Sequence, residues 1–224
     1  MKTNAAATFL NVCLGTSALL VTAMLVRSEI TGTRRLPPPQ ARRLFLDSVP
    51  AGVDYFAGGH RIGPAHKAPS MAVFSDYQCP ACKLLHQELE TRRTRGQHDL
   101  TIVYRHWPLS RHPHAERAAI ASECAAPQGR FAQMHDSLFA RSGNLEGVTS
   151  EQLASVAGVA DINRFQRCLR SDSVAAVVRK EAEFARSIGS EGTPTVVLRG
   201  GRAFFGVPSP RTLDSLITAM SSLP

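Results

Sequence analysis

Two cysteines three residues apart, in Cys79-Pro80-Ala81-Cys82, are the groups best suited to do chemistry in this chain. An apolar stretch, Met71-Ala72-Val73-Phe74, precedes them, and a helix-like run, Lys83-Leu84-Leu85-His86-Gln87-Glu88-Leu89-Glu90, follows. Strand, C-x-x-C, helix is the order found at reversible dithiol/disulfide sites. Pro80 suits the first helical position, where its missing N–H goes unused, and this puts Cys79 at the N-cap. There, free N–H groups and the positive end of the helix dipole favour a thiolate. The Cys79 pKa is therefore expected below the free-thiol value of about 8.5. Cys82 lies one turn further on the same side, able to close a disulfide but more shielded. Cys79 is the expected nucleophile and Cys82 the resolving thiol. A structural bridge and half of a zinc site are the competing readings. Zinc usually takes four ligands, no second C-x-x-C or close His pair is present, and His86 would supply only a third.

Periodicity supplies the elements that must hold this pair. Strand 71–75 is followed by helix 80–95, with an apolar stripe of Leu84, Leu85 and Leu89 and a plausible end at Gly96. Leu100 to Tyr104 reads as the next strand. Residues 113–190 read as helical. One helix carries Ala115, Ala118, Ala119 and Ile120, and another Phe131, Met134, His135 and Leu138. A third is capped by Ser150, runs through Leu153, Val156 and Ala157, and ends at Gly158; a fourth is capped by Asp161 and turns Ile162, Phe165 and Leu169 inward. A fifth, with Val174, Val177, Val178, Ala182 and Ala185, stops near Gly189. Strand character returns at Thr195-Val196-Val197-Leu198. Gly200-Gly201 is a two-residue hairpin signal leading to Ala203-Phe204-Phe205, and Ser209-Pro210 opens a final helix. Upstream, Gly58-Gly59-His60-Arg61-Ile62-Gly63 is a weak edge-strand or turn signal. The order βαβ, helices, ββα describes one α/β domain with a helical insertion.

The 224 residues, 43% hydrophobic, suffice for one sizeable domain with appendages. A net charge of +8 raises nucleic acid as a partner, but aromatics are only 6% and no long Lys/Arg run occurs, so none is expected. Arg92, Arg93 and Arg95 are expected on a solvated face near a helix end. Residues 5–26 are 22 uncharged positions behind Lys2, enough to span about 30 Å as a helix. They read as an uncleaved signal-anchor, with a cleaved signal peptide as the alternative. Arg27, Arg34, Arg35, Arg42 and Arg43 would by the positive-inside rule keep the following domain in the cytoplasm; a dithiol domain behind such a segment is read as exported all the same. Cys13 reads as a small apolar residue of that segment and not as a lipid-anchor site. Residues 27–69 form a tether and N-terminal extension, stiffened by Pro37-Pro38-Pro39.

Taken together, Phe74-Ser75-Asp76-Tyr77-Gln78-Cys79-Pro80-Ala81-Cys82, the helical stretch and Gly192-Thr193-Pro194-Thr195 resemble the DsbA-like thiol–disulfide oxidoreductases. The resemblance covers roughly residues 70–221. It implies a thioredoxin-like fold over 70–224, with the helical insertion lying between the C-x-x-C half and the cis-Pro half. It implies that Pro194 is cis, a form disfavoured by only about 0.5–1 kcal/mol before proline, and packs against the active disulfide. Thr193, with Pro80 and Ala81, would then meet an extended substrate peptide by strand addition. A trans proline starting an edge strand is the alternative. The resemblance also implies that Cys124 and Cys168 form a structural disulfide, two buried free thiols being the alternative. One departure stands out. Relatives often carry a buried acid six positions before the first cysteine, where this chain has Val73; Asp76 reads as a loop or turn residue.

His60, His66, His98, His106, His112, His114 and His135 show no pair with convincing metal spacing, and His112-Pro113-His114 reads as cap and loop. No metal and no cofactor are expected beyond the redox-active Cys79/Cys82 pair. The expected protein is a monomeric extracytoplasmic oxidoreductase, membrane-anchored by residues 5–26. It would oxidise thiols of exported proteins and be recycled by a membrane or soluble redox partner. A reductase, for example in cytochrome maturation, and a non-catalytic thioredoxin-fold binding module are the rivals.

Overall fold

The computed structural model describes residues 45–46, 49–50, 52–64, 71–95 and 100–221. The apolar segment 5–26, the tether around Pro37-Pro38-Pro39, His66, His98 and Gly96 lie outside the described residues. Among the described residues, no helix is long and apolar enough to cross a membrane.

Six strands make one sheet: β1 (Phe45–Leu46), β2 (His60–Ile62), β3 (Met71–Ser75), β4 (Ile102–His106), β5 (Thr195–Leu198) and β6 (Ala203–Phe205). Their spatial order is β1-β6-β5-β3-β4-β2. Only β3 and β4 run parallel. A parallel neighbour demands a crossover, and α1 (Pro80–Thr94) provides it. On one face Leu85 and Leu89 of α1, with Leu213 and Ile217 of a C-terminal helix, α7 (Pro210–Ser221), pack on Met71, Val73, Ile102 and Val196. On the other, Ala182 and Ala185 of α6 (Asp172–Ser187) cover Ala72, Phe74, Val103 and Val197. With both faces covered, β3 is apolar at successive positions and does not alternate.

The segment 27–69, read as tether and extension, contributes β1 and β2, so the sheet begins upstream of residue 70. β2 can lie flush against β4 because glycines flank it. A Cβ at Gly59 would sit 2.5 Å from the Tyr104 carbonyl oxygen, and one at Gly63 2.4 Å from that of Leu100.

The helical insertion builds its own core. Its helices are α2 (Ala115–Ala125), α3 (Phe131–Ala140), α4 (Ser150–Ala157) and α5 (Ile162–Leu169). Met134, Leu138, Leu153 and Phe165 meet there, and Tyr77, Cys79 and Cys82 belong to the same cluster. The insertion thus forms one wall of the cysteine site. Cys124 of α2 and Cys168 of α5 are joined, 44 positions apart. Closing a loop of that length stabilises by about 4 kcal/mol in the chain-entropy account. The variant Cys124→Ala/Cys168→Ala is expected to lose about that much in denaturant unfolding, and unchanged stability would show the bridge to be energetically idle.

Several local expectations shift. The strand expected from Leu100 starts at Ile102, in register with Met71 at the start of β3. Thr149, not Ser150, caps α4: its hydroxyl accepts from the Gln152 N–H while the Gln152 side chain accepts from the Thr149 N–H, a reciprocal box that leaves Ser150 as the first helical residue. Leu84 and Val156 are exposed, at 49% and 58%, while Leu85 and Leu89 carry the buried side of α1 and Leu153, Ala154 and Ala157 that of α4. Arg92 is buried and not solvated: it donates to Asp214 and Glu88 at 2.6 Å each and to the Pro210 carbonyl, pinning α1 to α7. The β5–β6 turn has three loop residues, 199–201, closed by Leu198 N–H donating to the Arg202 carbonyl.

Candidate active site

The end of β3 delivers the chain into a tight turn. The Cys79 N–H donates to the Asp76 carbonyl at 3.1 Å, and the Lys83 N–H to the Cys79 carbonyl as the first full helical bond. Cys79 is the N-cap, extended at φ −74° and ψ 121°, with Pro80 following at the first helical position. Both thiols are free and buried, Cys82 more deeply at 1% exposure than Cys79 at 5%. Pro80 is exposed and Ala81 half-buried beside them.

Across from the pair, the Thr193–Pro194 peptide is cis. The Thr193 carbonyl oxygen lies 3.4 Å from the Cys79 sulfur, and the Pro194 carbonyl accepts from the Gly206 N–H at 2.8 Å. The structure therefore brings Thr193 and Pro194 to Cys79, Cys82, Pro80 and Ala81, whereas Cys124 and Cys168 are bonded to each other in the insertion, within the same apolar cluster as the active pair.

The two sulfurs are driven in opposite directions. The Cys79 pKa falls to about 5. The Cys82 thiol, donating to it, is the largest cause; burial works against the fall, and the Thr193 hydroxyl and the N–H groups of Cys82 and Ala81 add to it. Cys82 is raised well above the ordinary thiol range by burial, by holding its proton in that shared bond, and by the Cys79 charge. The helix N-terminus inferred from sequence is part of the cause, through those two backbone donors, but the partner thiol contributes more. The Asp76 N–H also points to the Cys82 sulfur, at 3.4 Å.

Asp76 is a turn residue, yet it is 1% exposed. One carboxylate oxygen accepts from the Gln78 N–H at 2.7 Å, the local bond typical of an Asp-led turn. The other accepts from the Leu109 N–H at 2.8 Å and from His112 Nδ1 at 2.7 Å. His112 is thus a partner of the active-site turn and more than loop chemistry, while His114 sits at the N-cap of α2 without a side-chain capping bond. Tyr77 is held by a hydrogen bond to His135 Nδ1 at 2.9 Å. His86 is buried against Phe139 and lies 3.6 Å from Asp136. None of these long-range partners had a sequence signal beyond the Asp-led turn itself.

A second grouping is new. His60, His106 and Glu123, scattered along the chain, converge on one spot. The absence of metal spacing among the histidines is true of the sequence and does not carry over to three dimensions.

Strand, cysteine pair at a helix N-terminus and facing cis proline define a thioredoxin-fold thiol–disulfide oxidoreductase. The thioredoxin family model Thioredoxin_4 matches residues 57–219, and the chain belongs to that family, in its DsbA-like group. It is 26% identical to Pseudomonas aeruginosa DsbA2, with a TM-score of 0.57, covering 73% of this chain and 94% of that one. A periplasmic thioredoxin-like protein from Salmonella enterica serovar Typhimurium shares the fold at 20% identity and a TM-score of 0.61, over 73% of this chain and 90% of that one. The chain is also 32% identical to the Na(+)/H(+) antiporter NhaA 1 of Mycolicibacterium gilvum over 88% of its own length, but spans only 30% of that protein.

Proposed function

We propose that this oxidoreductase works as an oxidase outside the cytoplasm, as a monomer anchored by residues 5–26, introducing disulfides into exported proteins. A substrate thiolate attacks the Cys79 sulfur of the Cys79–Cys82 disulfide. The S–S bond breaks, Cys82 takes the electron pair and a proton, and a mixed disulfide forms at Cys79. A second substrate thiolate attacks the substrate sulfur, and Cys79 leaves as a thiolate. The product is a substrate disulfide and a two-electron-reduced enzyme, which a recycling partner reoxidises.

The observation that carries this reading is the Cys79 pKa of about 5 beside a Cys82 that keeps its proton. A low-pKa thiol leaves a mixed disulfide readily, and stabilising the dithiol form makes the couple more oxidising. Pro80 and the exposed Leu84, one turn apart on α1, offer an apolar surface beside Cys79 for an extended peptide, with Thr193 facing it. The periplasmic neighbour supports the compartment, and the antiporter relative supports work beside a membrane.

Equilibration of Cys79/Cys82 with glutathione tests the direction. The expected potential is well above the roughly −270 mV of thioredoxin, toward the roughly −120 mV of strong oxidants. A value at or below thioredoxin's would make the protein a reductase, and no exchange at all would make it a binding module.

A further inference from the structure

His60 lies on the edge strand β2, His106 ends β4, and Glu123 sits on α2 beside the disulfide-bonded Cys124. Their potential donor atoms all fall within 4.8 Å of one another. His60 Nε2 is 2.8 Å and His106 Nε2 is 2.9 Å from the same oxygen, Glu123 Oε1. An ionised carboxylate only accepts, so both rings present an N–H to it. The plain role of such a set is to tie an edge strand to a helix. Two imidazole nitrogens from separate elements are aimed at the same carboxylate oxygen. The ring of His60 is stacked on Phe131 at 3.8 Å and 19°, and the backbone N–H of His106 donates to Glu181 at 2.6 Å. The side chain of His106 is 4% exposed and that of His60 22%, so the cluster is reachable from one side.

We propose that His60 Nε2, His106 Nε2 and the Glu123 carboxylate bind a divalent first-row transition ion, Zn²⁺ being the fitting one. Two imidazoles and one carboxylate with a fourth position open to water are a donor set that zinc accepts. Each ring would carry its proton on Nδ1 so that Nε2 offers a lone pair. Tetrahedral bonds of about 2.0–2.1 Å need ligand atoms about 3.3 Å apart. The two nitrogen–oxygen pairs have to open by a few tenths of an ångström from 2.8 and 2.9 Å, and all the donor atoms already lie within 4.8 Å of one another. An ion there would clamp β2 and α2 to the sheet.

The test uses tag-free protein with Cys79 and Cys82 oxidised, so that no thiolate competes for metal. Co²⁺ is titrated by visible absorption and Zn²⁺ by calorimetry and thermal unfolding. The expected result is one ion per chain, a Co²⁺ ligand-field band and a Tm that rises with Zn²⁺. His60→Gln and Glu123→Gln are each expected to weaken binding at least ~10-fold and to abolish the Tm rise. His60 is the more exposed of the two, so that variant keeps the test open if a change at the half-buried carboxylate prevents folding. No stoichiometric binding by the oxidised protein, or binding that both variants leave unchanged, overturns the proposal.

Discussion

Cys79→Ser is expected to drop dithiol oxidation to the uncatalysed rate, and Cys82→Ala to let the Cys79 pKa climb from about 5 back toward the free-thiol range. The two variants separate reaction from tuning. The first removes the sulfur that lies 3.4 Å from the Thr193 carbonyl oxygen. The second removes the largest cause of the Cys79 shift, the Cys82 thiol that donates to it, and leaves the backbone donors in place. Reaction rate at neutral pH is a poor readout for the second variant. Raising the pKa by about 3.5 units, to the free-thiol value, cuts the thiolate fraction at pH 7 roughly 30-fold, yet the more basic thiolate gains nucleophilicity of similar size at a Brønsted slope of about 0.4–0.5. The two effects nearly cancel. The midpoint of thiolate absorbance against pH does not suffer this cancellation. A midpoint that stayed near 5 in Cys82→Ala would assign the acidity to the helix terminus instead, and normal turnover by Cys79→Ser would remove it as nucleophile.

The second large effect is on stability as a function of pH and redox state. In the oxidised protein neither active-site sulfur titrates. In the reduced folded protein Cys79 has a depressed pKa of about 5, whereas in the unfolded chain it keeps its proton up to the ordinary thiol range. Between these values the unfolded state binds one more proton. The reduced form therefore gains up to about 1.4 kcal/mol per pH unit relative to the oxidised form as pH rises, and loses it again as pH falls toward 5. Cys82, whose pKa is raised, stays protonated in both states across this window and opposes the effect only above it. The depressed histidines, His86 and His135, and the raised Asp136 are present in both redox forms, so they drop out of the difference. Parallel denaturant titrations of the two forms from pH 5 to pH 8 provide the measurement. The stability of the reduced form minus that of the oxidised form is expected to rise with pH. Matching pH slopes in the two forms would show that Cys79 is not ionised when folded. The same proton accounting makes the potential change by about 30 mV per pH unit in that window, where a couple taking up two protons would change by about 59 mV.

Much of the fold was written in local pattern. Met71 to Ser75, the Pro80 helix start, Asp161 as a cap and the Ser209-Pro210 start of the last helix each depend on a few neighbouring residues, and each lies where periodicity and capping chemistry place it. Boundaries slipped where a distant partner decided them. Ile102 opens β4 because β3 begins opposite it. Leu84 is exposed and Arg92 is buried because α7 approaches α1 on the side where Arg92 stands, and Asp214, Glu88 and the Pro210 carbonyl satisfy its guanidinium there. A charged residue near a helix end looks solvated until its counter-charges arrive from 122 positions away.

The site divides along the same line. The amino-acid order alone determined that two thiols share the first turn of a helix and which one caps it, because these are matters of residue type at fixed short spacing; that the Thr193-Pro194 step returns to meet them was implied only by the family resemblance. Tertiary structure alone decided how deeply Cys82 is buried against the insertion, and so how far its thiol is pushed above the ordinary range, whereas the largest cause of the Cys79 shift is the Cys82 thiol three positions along. It alone decided that Asp76 is a buried anchor held by His112. It alone brought His60, His106 and Glu123 to one point. Proximity between groups far apart in the chain is set by how strands and helices pack, and no local pattern encodes it.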